Sequence, residues 1–147
     1  MAYAAITKPS LYMNTTLYTG TGAIQAITGV EFQPDLNWTK CRTVSQSHVV
    51  TDAVRGVTET LYTNATQAET TEANGLTAFG ADGFTVGTSD MWSDNTETFV
   101  SWNWKAGTTS GLSGGTLTPS AYSINTTSGF GIYAFTGTGT SATIAHG

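Results

Sequence analysis

The sequence predicts an all-β protein, an antiparallel β-sandwich of jelly-roll or concanavalin-like form with little helix, and three observations carry that expectation. Thr fills 30 of the 147 positions and Gly 17, a composition that suits pleated strands joined by tight turns. Charged residues make up only 10% of the chain, against about a quarter in an average domain. Short runs of alternating apolar and polar residues recur, as half-buried strands require. A single domain of this size buries roughly two thirds of its unfolded surface, so no disulfide or metal is needed to hold a core.

Taken in chain order, "LYTGTG" carries Gly20-Thr21-Gly22, which does not complete a phosphate-binding glycine pattern and reads as a turn. In "PDLNWTKCR" Leu36 and Trp38 alternate with Asn37 and Thr39, after a Pro34-Asp35 pair that suits a turn. Cys41 is the sole cysteine, which excludes an intrachain disulfide and leaves a buried small hydrophobe as its role. "TQAETTEANG" at 66–75 offers acids and alanines before a Gly stop, so a turn or two of helix is expected there. "LTAFGADGFTVG" predicts a hairpin turning at Ala81-Asp82-Gly83. In "TFVSWNWK" Val100, Trp102 and Trp104 share one face and Phe99, Ser101 and Asn103 the other. The aromatic face is expected to be the core face, with Trp38 also inside.

The expected organisation is a sandwich unit over 1–106 and a Gly/Ser/Thr-rich linker or loop over 107–119. Strands over 120–147 would then complete the sheet or start a second repeat. That last alternative comes from an internal echo: Tyr18-Thr19-Gly20-Thr21-Gly22 returns as Phe135-Thr136-Gly137-Thr138-Gly139, and Ile27 returns as Ile144, at one fixed offset. The tail carries too much apolar surface, in Tyr122, Ile124, Phe130, Ile132, Tyr133 and Phe135, to dangle free.

The formal net charge is -5, and Lys8, Lys40, Arg42, Arg55 and Lys105 form no run, so a phosphate-tracking surface and a nucleic-acid partner are not expected. No apolar stretch approaches a spanning helix, and "MAYAAITKPS" lacks the apolar region of a secretory signal. Gly111-Leu112-Ser113-Gly114-Gly115 matches the nucleophile-elbow pattern, but it lies in a flexible polar tract rather than at a strand-to-helix turn. Glu69 and Glu72 read as a solvated face rather than a glycosidase pair. No catalytic residue, metal site or cofactor is therefore expected.

One ligand-binding candidate remains. Trp92 sits in "SDMWSDNTE" among Asp90, Asp94 and Asn95, where an exposed ring beside polar groups could stack on a sugar. The acids there lack the spacing and glycine of a calcium loop.

In order, "LYTGTG", "FQPDLNWTKCR", "TDAVRG", "DGFTVG", "VSWNWKAG" and "FTGTG" resemble a repeat module of marine tailed-phage virion structural and tail-fibre-like proteins. The resemblance spans residues 8–147; Asn37 and Cys41 depart from its pattern. It implies a non-enzymatic virion protein made in the host cytoplasm: a module of a tail fibre or appendage, or a knob decorating the capsid exterior. The implied partners are other virion proteins, copies of itself and host-surface glycans, with no nucleic acid and no membrane insertion. The alternative from another class is a polysaccharide depolymerase on a lectin-like sandwich.

Overall fold

The computed structural model describes residues 6–147, so the first five residues of the expected 1–106 unit lie outside the described residues. The fold is all-β and antiparallel, as the composition predicts. Its strands are β1 (Met13–Thr19), β2 (Gln25–Thr28), β3 (Leu36–Cys41), β4 (Val49–Asp52), β5 (Glu59–Tyr62), β6 (Thr70–Thr71), β7 (Leu76–Gly80), β8 (Gly83–Val86), β9 (Thr98–Trp104), β10 (Ala121–Asn125) and β11 (Phe130–Ala134). Among the described residues, helix is confined to a 3-10 turn at Pro9–Leu11 and one α-turn, α1, at Asp90–Ser93.

Six strands form one sheet in the order β1-β9-β3-β4-β5-β6, and three form a second in the order β2-β8-β7. The core lies between them. Ile27, Phe84, Val86 and Leu76 of the smaller sheet meet Val49 of the larger one, with Val30, Phe32 and Trp92 filling the margins. Tyr18 of β1 bridges the gap, stacked on Phe99 at 5.1 Å and edge-on to Phe84 at 6.2 Å. Burial pushes the Tyr18 phenol's pKa well up, and its hydroxyl donates to the Trp92 carbonyl at 2.8 Å. Cys41 is buried, as expected.

The alternation read in β9 is present, but the expected faces are reversed. Phe99, Ser101 and Asn103 point into the sandwich, while Val100, Trp102 and Trp104 lie half-buried on the outer side. Trp38 is likewise half-buried on the outer side of β3. The inner positions are polar, and neighbouring strands supply partners to most of them, although the Thr16 and Thr51 hydroxyls are buried without one among the described residues. Asn37 Nδ2 donates to Asn103 Oδ1 at 2.8 Å, and the Thr39 hydroxyl donates to Asn37 Oδ1 at 2.7 Å. Asn103 Nδ2 in turn donates to Ser101 Oγ and to the Asn14 carbonyl. A hydrogen-bonded strip can thus occupy an interior that sequence alone assigns to tryptophan.

The hairpin at 76–87 forms as predicted, with Gly80 opposite Gly83. Gly83 has φ +150°, and a Cβ there would run into the Ile27 backbone of the adjoining strand, so the turn needs glycine. Asp82 at its tip accepts from the Gly29 and Glu31 amides. The helix expected in 66–75 is absent: Thr70 and Thr71 pair with Thr60 and Glu59 as β6, and cross-strand pairing overrides a weak local preference.

Residues 107–119 run as a loop tied at isolated bridges, Thr108 to Ile124 and Gly115 and Leu117 to Ile144. β10 and β11 pair with each other as a separate two-stranded sheet and join neither larger one. Asp35 anchors this unit to the sandwich. One carboxylate oxygen accepts from the Ala106 amide at 2.8 Å, and the other lies 3.5 Å from the Ser123 hydroxyl.

Candidate functional site

The loop that held the sequence candidates has a different role from the one expected. Ser89 precedes the single turn of α1, which rolls Trp92 inward until it is 0% exposed. The ring contributes to the core and presents no face to a ligand, so the stacking role expected of Trp92 is corrected. Asp90 and Asn95 stay at the surface and Asp94 is half-buried, without an aromatic partner between them. Among the described residues, no group of three or more His, Cys, Asp or Glu side chains is placed to hold a metal ion.

What the 93–97 loop does is grip the "TGTG" turn after β1. The Gly20 amide donates to the Glu97 carbonyl at 2.8 Å, the Gly22 amide to the Ser93 carbonyl at 2.7 Å, and the Thr96 amide returns a bond to the Gly20 carbonyl. The Thr21 amide donates to Ser93 Oγ at 3.2 Å. A Cβ on Gly20 would collide with the Asp94 carbonyl oxygen, so the approach requires glycine.

The other shared motifs are structural joints as well. In "TDAVRG", Asp52 accepts from the Val54 and Arg55 amides, and the Arg55 guanidinium bridges Asp52 and Glu69, each at 2.6 Å. In "VSWNWKAG", the Gly107 amide donates to the Ser123 hydroxyl, continuing the Asp35 anchor. An open cavity of about 550 Å³ lies at this anchor, beside Asp35, Ala53, Tyr122 and Ser123. Burial raises the pKa of the Asp35 carboxyl against the lowering effect of its two donors.

The feature best formed for contact is the outer face of the six-stranded sheet. Register places Trp38 opposite both Trp102 and Val50, Val50 opposite Leu61, and Leu17 opposite Val100. Directly opposed residues lie on one side of a sheet, so Trp102, Trp38, Val50 and Leu61 form one apolar row ending at Thr15, beside a shorter Leu17–Val100 row ending at Lys40. Trp38 and Trp102 touch, with ring centroids 5.1 Å apart and planes tilted by 43°. Leu17 is 63% exposed. At one end Phe130 of β11 stacks over Trp104 at 6.1 Å, so the tail covers only that corner. Sequence reasoning named these tryptophans but turned them inward. The one available signal was the polar run Asn37, Thr39, Thr51, Ser101 and Asn103, which is compatible with either side.

Fold and site together define an antiparallel β-sandwich with one open aromatic sheet face. The chain belongs to the family described as a domain of unknown function, DUF7483, whose model matches residues 8–147. No curated protein and no solved structure matches it.

Proposed function

We propose that the chain is a non-enzymatic structural and contact module of a bacteriophage virion, carried on a tail fibre or appendage or decorating the capsid exterior. The supporting observation is the outer sheet face, where Trp38, Trp102, Val50, Val100 and Leu17 form two adjoining, preformed apolar rows. Rows of this kind mark a surface that meets another macromolecule. The tilted tryptophan pair suits the apolar face of a sugar ring, consistent with contact to host-surface glycans. The motifs behind the phage resemblance act here as joints that hold the sandwich and its tail in place, as a durable part requires.

The test mixes purified protein with undecorated phage heads and, separately, with host cells. Saturable binding to heads supports decoration, and adsorption to cells that is lost in Trp38→Ala and Trp102→Ala supports the fibre role. Binding to neither overturns the reading. New reducing ends released from host polysaccharide would replace it with the depolymerase.

A further inference from the structure

The two copies of the Thr-Gly-Thr-Gly phrase have the same local shape and opposite surroundings. In the first, the Thr21 hydroxyl donates to the Ala23 carbonyl and accepts from the Ala23 amide, at 3.4 and 3.3 Å. In the second, the Thr138 hydroxyl does the same with Thr140, at 3.3 and 3.4 Å. Gly22 has φ +66° and Gly139 +71°. The second turn is therefore already folded as the first one is.

The surroundings differ. Gly20 is pressed against the 93–97 loop so closely that no Cβ fits, whereas Gly137, its counterpart, has no heavy atom within 4 Å of a built Cβ among the described residues. Tyr18 is locked against Phe99 and Phe84, while Phe135, its counterpart, is 50% exposed. The second copy thus keeps the glycine and the aromatic that a tight slot demands, and the described residues of its own chain provide no slot for them.

We infer that residues 130–139 are a second β1-type strand whose seat is the β1 position of another copy of this chain, beside β9 and under the 93–97 loop. In that seat Ala134 takes the place of Leu17 opposite Val100, Phe135 stacks where Tyr18 does, and Gly137 meets the Asp94 carbonyl. The seat is at the sheet edge, because among the described residues β1 pairs only with β9, so a strand can leave and another enter without unpairing the inner strands of the sheet. The incoming strand remakes the β9 ladder but not the Tyr18 hydroxyl bond to the Trp92 carbonyl, and its residues 130–134 already pair with β10, so the exchange carries a net cost. The resident β1 has the advantage of tethering, equivalent to roughly millimolar concentration, so exchange is transient in dilute solution and favoured where copies are crowded. Because tail meets head, the contact is heterologous and propagates copy to copy. This inference rests on the reading of the chain as a part that assembles with itself. Its test needs neither heads nor cells, so the two can fail separately.

Full-length Ala134→Cys protein, carrying a size tag, is mixed with full-length Val100→Cys protein under mild oxidation, which traps short-lived pairings. The background is Ala134→Cys mixed with the unaltered chain, whose only thiol is the buried Cys41. The positional control is Ala134→Cys with Leu61→Cys on β5. The mixed 134–100 dimer is expected well above both, and adding Gly137→Ala to the tagged chain should lower its yield roughly tenfold, since the new Cβ meets the acceptor's backbone. Gly137→Ala should leave the melting midpoint of the monomer unchanged, separating lost docking from lost folding. A mixed dimer no more abundant than the controls, or one indifferent to Gly137→Ala, overturns the inference.

Discussion

At the scale of single residues, the four tryptophans separate into one core side chain and three on the outer face, and substitution should rank them. Trp92 is wholly enclosed, so Trp92→Ala should cost about 3–5 kcal/mol. Trp102→Ala should cost clearly less, because its ring is only half-buried. Urea midpoints of the two variants give the order, and an equal loss would contradict the face assignment. Asn103 is the residue whose side chain ties three strands, so Asn103→Ala should cost on the order of 1–3 kcal/mol by stranding the buried Asn37 amide. Asp35 makes stability depend on pH. Its folded pKa is raised by burial, so its contribution is fully present below the unfolded value of about 3.9 and is lost as pH rises through the folded one. Relative to Asp35→Asn, the unaltered protein should therefore lose stability as pH climbs through the carboxylate range, read as a changing difference in Tm.

At the scale of elements, β3, β9 and the β7–β8 hairpin were legible in the sequence, because period-2 alternation and an Asp-Gly turn are local signals. Which side of β9 faces the core was not. A strand with aromatics on one side and Asn and Ser on the other is read correctly only when the partners of the polar side are known, and those come from Asn14 and Asn37, far off in sequence. β6 was hidden for a similar reason: its two threonines pair across to Glu59 and Thr60 rather than following local preference. The buried turn of α1 is only four residues long, too short for a periodic signal. The glycine turns are the elements most exposed to a single change. Gly83→Ala should shift the urea midpoint down by the equivalent of about 1–3 kcal/mol, since φ +150° and the Ile27 backbone both oppose a side chain.

For the whole molecule, the sandwich and its tail meet at the Asp35 anchor, the Gly107–Ser123 bond and the Trp104–Phe130 stack. Truncation after Gly107 removes the last two and one of the Asp35 donors. The shortened protein is expected to melt lower and to bind an apolar dye at the uncovered Trp104 corner, and an unchanged melting midpoint without dye binding would show the tail to be a passive extension. The Trp38–Trp102 contact has a further, optical consequence. Two indole transitions held 5.1 Å apart at a fixed 43° tilt couple as excitons, so the native protein should show a paired band in far-ultraviolet circular dichroism that disappears in either Trp→Phe variant. Trp92, sealed in the core, should dominate the blue edge of the fluorescence. The protein thus carries two built-in reporters, one reading the state of its open face and the other the integrity of its interior, and a ligand settling on the face should disturb the first while leaving the second untouched.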